Sequence, residues 1–218
     1  LLCGAALLLR SYLETQRISP GFDSKKNLLL LFVAPLSSGE RRGVPIHHQN
    51  LVERLSSLPG VKHASFAKRV PLSVLGGNPS LRVSIPGVEL PFGAETMSIA
   101  YNLIGRDYFQ AMGTRILRGR GFKRSDDSKV VVINQVLARL WRRSKGDPDP
   151  LGKWLRVERM DCQVIGVVED GKYGMLTESA APYMFLPFPS PSAGEATLIV
   201  ETAGDPKTMA ELIWREAT

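Results

Sequence analysis

The chain has 218 residues, 44% of them apolar and 22% charged, with a formal charge of +7. That length can bury a sizeable core, as one large domain or two small lobes, and the ordinary apolar and charged fractions exclude global disorder. Two cysteines far apart in sequence, Cys3 and Cys162, exclude a disulfide framework and leave the compartment open.

Leu1 to Leu9 is almost wholly apolar and is followed by Arg10-Ser11-Tyr12. So short a run cannot cross a bilayer, which takes about 20 apolar residues, and it lacks the basic n-region of a signal peptide. It reads as the last turns of a transmembrane helix, with Arg10 and Tyr12 at headgroup level; an amphipathic core helix is the alternative. Ser19-Pro20-Gly21-Phe22-Asp23 is a turn by its Pro-Gly pair. Leu28 to Val33 is a short apolar run between polar flanks, which predicts a strand buried on both faces.

A loop from Ala34 to Gly43 leads to a helix with Leu51, Val52, Leu55 and Leu58 at helical spacing, stopped by Pro59-Gly60. Strands are predicted at Val61 to Val70, Leu81 to Ile85 and Glu95 to Leu103, the last two alternating cleanly. The third feeds the stretch Tyr101 to Phe122. There a helix of about a turn and a half lies between Asp107, expected to cap it, and Gly113, which supplies a left-handed end. So short a helix needs Tyr108, Phe109 and Met112 pressed into a sheet, and a basic loop follows it.

Lys129 to Ile133 is a further strand, passing at Asn134, a good N-cap, into a helix with Val136, Leu137, Leu140 and Trp141 on one face. The loop Arg142 to Pro150 precedes paired strands at Leu151 to Val157 and Cys162 to Val168, closed by a turn at Glu169-Asp170-Gly171. Tyr183 to Phe188 and Ala196 to Thr202 read as strands around the connection Pro189 to Gly194. A last helix opens at Asp205-Pro206 with Met209, Leu212 and Ile213 on its buried face.

The chemistry on offer is thin. Gly146 to Trp154 has the outline of a P-loop, but its glycines are spaced wrongly, Trp154 stands where a hydroxyl should hold magnesium, and a strand follows where a helix is needed. His47 and His48 are adjacent and point apart on a helix; with His63 they give no metal-ligand spacing, and no nucleophile elbow is present. Asp126-Asp127 reads as surface ion pairing to Lys123, Arg124 or Arg120. Arg120, flanked by Gly119 and Gly121, is placed to lock its loop to a carboxylate such as Asp126. The basic excess, concentrated from Arg115 to Lys145, is a solvated face, or a contact for acidic lipid, an acidic protein or nucleic acid. No zinc-finger spacing and no RNP-type motif support nucleic acid.

The order Tyr108-Phe109, Met112-Gly113, Leu117 to Phe122, Asp126-Asp127, Val131 to Asn134, Trp141, Asp149 to Lys153, Val164 to Asp170 and Pro182 to Pro187 resembles the MacB-like periplasmic core domain of FtsX-like ABC transporter permeases. The resemblance implies an α+β fold: a porter-like split β-α-β lobe at about 19–75 and 181–218, and an inserted mixed α/β lobe at about 76–180. Residues 1–18 would be the transmembrane-helix end and juxtamembrane segment. It also implies a non-catalytic domain without cofactor or metal, on the periplasmic side of the bacterial inner membrane, coupling ATP-driven motion to export or to action on a partner. The partners implied are a separate ATP-binding subunit or domain, the permease transmembrane helices, and a homo- or pseudo-dimer mate. The motif positions Tyr108, Phe109, Gly119, Arg120, Asp126, Asn134, Gly152, Lys153, Gly166 and Asp170 are then structural. A soluble module binding an acidic ligand or nucleic acid through the basic face is the competing reading, and an enzyme with a site assembled from distant residues is the third.

Overall fold

The computed structural model describes residues 19–33, 48–73, 77–90, 93–143, 148–188 and 195–217. The expected transmembrane-helix end, Cys3, the loop after Val33, His47 and residues 144–147 lie outside these.

Three strands are drawn from the two ends of the described chain. β1 (Leu28–Val33) and β2 (Val61–Ala67) each pair antiparallel with β10 (Ala196–Thr202), which lies between them. Their side chains Leu29, Leu31, Val33, Ala64, Phe66, Leu198 and Val200 pack with two amphipathic helices, α1 (His48–Ser56) and α4 (Pro206–Ala217). Leu51, Val52 and Leu55 of α1 and Ile213 of α4 complete that layer.

The middle of the chain closes on itself. β4 (Met97–Ile104) pairs with β3 (Ser80–Ser84) and with β9 (Tyr183–Pro187); β3 pairs with β7 (Trp154–Val157), β7 with β8 (Met160–Val168), β8 with β6 (Val130–Asn134), and β6 with β9. The result is a ring of six strands, which leaves no open edge in the circuit. Val83, Ile99, Val131, Ile133, Leu155, Val157, Val164 and Met184 form one cluster with Leu137, Leu140 and Trp141. These last three come from α3 (Gln135–Ala138) and the 3-10 turn Arg139–Arg143, which fill the ring's core.

The alternate side chains of the ring, Val132, Val168, Tyr183 and Phe185, join a second cluster with Ala67 of β2, Ile199 of β10 and the short helix α2 (Tyr108–Met112). Strands β2 and β4 meet through the pair Ala67 and Ile104. Side-chain packing around α2 therefore holds ring and terminal sheet together. The edges of Tyr108, Phe109, Tyr183 and Phe185 meet in tilted and T-shaped contacts at 5.0 to 5.9 Å between centroids, each pair contributing about 0.5–1.5 kcal/mol beyond its burial.

Four expectations are corrected. β1 is buried on one face only, because it is the edge strand of its sheet and its far face leaves Leu30 47% and Phe32 63% exposed. Leu212 lies off the buried stripe of α4. Asp107 makes no side-chain cap bond to α2: its backbone (φ −92°, ψ 18°) is outside the extended region that turns a capping carboxylate back onto the helix. Finally, the basic loop after Gly113 contains a strand, β5 (Ile116–Gly119), paired to the end of β8.

Phe109 is 1% exposed at the centre of the joint. Phe109→Ala is expected to cost about 3–5 kcal/mol of unfolding free energy, read from denaturant midpoints; a loss under about 1 kcal/mol would show that α2 does not carry the joint.

Candidate functional site

The turn Pro20 to Asp23, near the start of the described residues, is strapped across the end of α2. The N–H of Asp23 donates to the Met112 carbonyl at 2.9 Å, the Thr114 hydroxyl donates to the Gly21 carbonyl at 2.9 Å, and the Lys172 N–H donates to the Pro20 carbonyl at 2.9 Å. Lys26 continues the strap: its Nζ donates to the Gln110 carbonyl at 2.5 Å and pairs with Glu201 of β10 at 2.6 Å. Phe22 packs into the aromatic cluster behind.

Glycines make this approach feasible. Gly21 has φ +78°, and a Cβ on it would overlap the Cα of Gly171. Gly113 ends α2 in the left-handed conformation, φ +69°, and a Cβ there would come within 2.6 Å of the Asp23 Cβ. Only glycine meets both demands at low cost. The strap thus grips α2 on one side and the segment after β8 on the other.

Around the strap, burial dominates the titrating groups. It raises the phenols of Tyr108, Tyr173 and Tyr183 far above their ordinary value, Tyr108 despite a side-chain hydrogen bond to Asn102. These tyrosines are packing groups; Tyr173 and Tyr183 stack at 3.5 Å. Burial also pushes the Cys162 thiol up to about 11, with the charges of Asp161 and Asp127 adding to it, which leaves it protonated and unreactive at neutral pH.

The motif positions fall at joints of the backbone. Asn134 caps α3, accepting from the Leu137 N–H, and also accepts from the Tyr183 N–H while donating to the Ala181 carbonyl. Asp170 accepts from the Val136 N–H and from Arg139, fastening the start of α3 to the end of β8. A Cβ on Gly119 (φ +71°) would overlap the Ile165 carbonyl oxygen, and one on Gly166 would overlap that of Arg120. Gly152 (φ +76°) and Lys153 make the turn into β7, where the Gly152 N–H donates to the Val164 carbonyl and the Lys153 carbonyl accepts from the Val164 N–H. Tyr108 and Phe109 are core, as the short helix requires.

Arg120 binds Asp126 with both arms of its guanidinium, at 2.6 and 2.8 Å, and Asp126 accepts the Lys123 N–H as well. The Arg120 bond is the main cause holding the Asp126 carboxyl below the usual carboxylate range. Four further arginines of the basic stretch are also engaged: Arg115 by Glu169, Arg118 by Asp149, Arg124 by Glu53 and Arg139 by Asp170. Five arginines of what reads as a basic face in sequence are thus in ion pairs.

Among the described residues there is no group of three or more His, Cys, Asp or Glu side chains placed to hold a metal. A cleft of ≈ 80 Å³ lies between α1, the start of α2 and residues 122–126, with Glu53 reaching Arg106 at 3.3 Å and Arg124 at 3.0 Å across it. No helix among the described residues is long and apolar enough to cross a membrane.

The sequence profile of the MacB-like periplasmic core domain matches residues 8–213. The chain belongs to this family. It is the core domain of a MacB-type ABC transporter permease, on the periplasmic or extracellular side of the membrane. Its fold is similar to that of the periplasmic region of MacB from Actinobacillus actinomycetemcomitans, at 16% identity, TM-score 0.55, covering 94% of this chain and 89% of that one. It is likewise similar to the extracellular domain of the noncanonic ABC-type transporter YknZ from Gram-positive bacteria, at 18% identity, TM-score 0.54, covering 88% and 90%. No curated protein sequence matches the chain.

Of the site features in this MacB-like domain, the Arg120 to Asp126 lock and the Asn134 cap join residues the sequence singled out. The strap and the second role of Asp170 were missed, since their partners are remote in sequence. Because the folded carboxyl of Asp126 is depressed, the stability it adds is present above the unfolded value near 3.8 and is lost as pH falls through the folded value. Asp126→Asn should therefore be less stable than the parent at neutral pH and converge with it in acid, in denaturant titrations from about pH 7 to about pH 2.5. A gap that stays constant across that range would mean the carboxylate charge is not what holds the loop.

Proposed function

We propose that this MacB-like domain is non-catalytic and passes ATP-driven motion of the permease's transmembrane helices to substrate export, or to a partner outside the membrane. The observation that carries this is the strap. The chain leaving the apolar N-terminal segment does not simply enter a strand; it is bonded to α2 and to the segment after β8 before it reaches β1. A displacement of that entry point is delivered to the joint between sheet and ring.

In this reading the domain has two lobes, a porter-like one built on the terminal sheet and an inserted one built on the ring, with Tyr183–Pro187 belonging to the ring by its strand pairing. The parent permease works with a separate ATP-binding subunit or domain, sits in the bacterial inner membrane and brings two such domains together as a homo- or pseudo-dimer. The competing reading, a binding module for an acidic ligand or nucleic acid, loses support because arginines of the basic stretch are taken up by carboxylates.

The test is hydrogen exchange on the full permease with its ATP-binding partner, with and without trapping by ATP and vanadate. Exchange of the Asp23 and Thr114 amides is expected to change by about tenfold or more, the scale of a local opening shifted by about 1.4 kcal/mol. Gly21→Ala, which forces apart the strap and Gly171, should abolish that response while ATP hydrolysis continues. Identical exchange in both states would sink the proposal.

A further inference from the structure

Beside the strap, the loop 171–178 presents apolar side chains outward. Residues 171–178 are fixed by Glu178, whose carboxylate accepts from the N–H groups of Tyr173 at 2.6 Å, Gly174 at 3.0 Å and Met175 at 3.0 Å. Lys172 Nζ donates to the Glu178 carbonyl, and the Lys172 N–H holds Pro20. The loop is thus tightly bonded, and yet its tip leaves Met175 67% and Leu176 39% exposed. Removing such side chains from water is favourable, so a rigid loop that keeps them out is suited to meet another apolar phase.

The neighbouring loop at 70–73 is fastened to the first by the Leu72 N–H donating to the Tyr173 carbonyl at 2.9 Å. Leu72 has φ +61°, a conformation rare for a bulky residue and kept only where surrounding structure enforces it. The acidic groups at this end are hydrogen-bonded, Glu169 by Arg115, Asp170 by Arg139, Glu178 by its own loop and the exposed Asp23 by the Lys25 N–H. Lys25 of the strap is exposed. The end is therefore apolar at its tip and acceptable to anionic headgroups around it.

Its position follows from the strap. Pro20 is bonded to this loop, and Arg10, at the end of the apolar run Leu1 to Leu9, lies ten positions earlier. Ten positions reach at most about 35 Å, and about 15 Å along a helix. Of the other exposed apolar side chains of the ring, Trp154 lies opposite Gln163 and Met160 opens β8, whose nine residues put Met160 about 26 Å along the strand from Val168 and the loop that follows it.

We propose that the paired loops 70–73 and 171–178 form a foot that rests on the bilayer, with Met175 and Leu176 entering its headgroup margin. The inference rests on the permease reading above, since it needs the strap to lie near the membrane.

The test uses the full permease, with Cys3 replaced by serine and Cys162 left in its buried place, in vesicles of phosphatidylethanolamine and phosphatidylglycerol. A bimane probe on Met175→Cys is compared with one on Met160→Cys. The expected result is quenching of the Met175→Cys probe by a shallow doxyl lipid at least threefold above that of Met160→Cys, with protection from iodide. Iodide access without doxyl quenching at Met175→Cys overturns the foot, and so does shielding from both quenchers, which would mark a protein contact. Failure of the permease to float with the vesicles would instead overturn the membrane reading itself, and is scored separately before any quenching is read.

Discussion

The burial of Tyr108 and Phe109 against Phe185 is the contact on which the rest depends. A helix of five residues has no stability of its own, so α2 exists because its two aromatic rings fit between the ring's outer face and the terminal sheet. Its existence in turn places Gly113 and the Met112 carbonyl where the strap can reach them. Remove the packing and three things go together: the joint, the end of the helix, and the anchor for the chain that enters the domain.

The charges show how strongly local sequence can mislead about surface character. A stretch dense in arginine predicts a positive field, but Glu53, Asp126, Asp149, Glu169 and Asp170 come to it from α1, from its own loop, from the turn before β7 and from the end of β8. Most of these pairs are partly exposed, and each adds little to stability. What they supply is placement, since an arginine fork accepts a carboxylate in few orientations. Arg120 and Asp126, close in sequence and bonded twice, are the strongest example.

Legibility followed sequence distance. The Asn134 cap, the left-handed Gly113 and the Arg120 lock each involve residues within a few positions, and local rules found them. Asp107 looked like a cap for the same reason and was not one, because the turn from Gly105 holds its backbone outside the extended region. Ring closure had no local signal: β4 and β9 are parallel neighbours with four other strands between them in the chain. Strand β5 was hidden by its short Ile-Leu-Arg-Gly sequence, which has neither alternation nor a run. The Pro20-Gly21 pair announced a turn, but nothing in it named Gly171 as the backbone it must touch. The family resemblance added the overall architecture, and the packing of the joint came only from the fold.

The closed circuit of six strands has a mechanical consequence. In an open sheet a register slip can be taken up at a single strand interface, but in a closed one every strand has two partners, and a slip must break bonds at two interfaces or more. The ring is therefore of low compliance compared with the seam, where one strand pair, the Asn102 bonds to Arg69 and a layer of aromatic edges join it to the terminal sheet. Under the proposed coupling, force entering at Pro20 is turned into rotation about that seam, with the ring as the rigid arm of a lever whose fulcrum is α2.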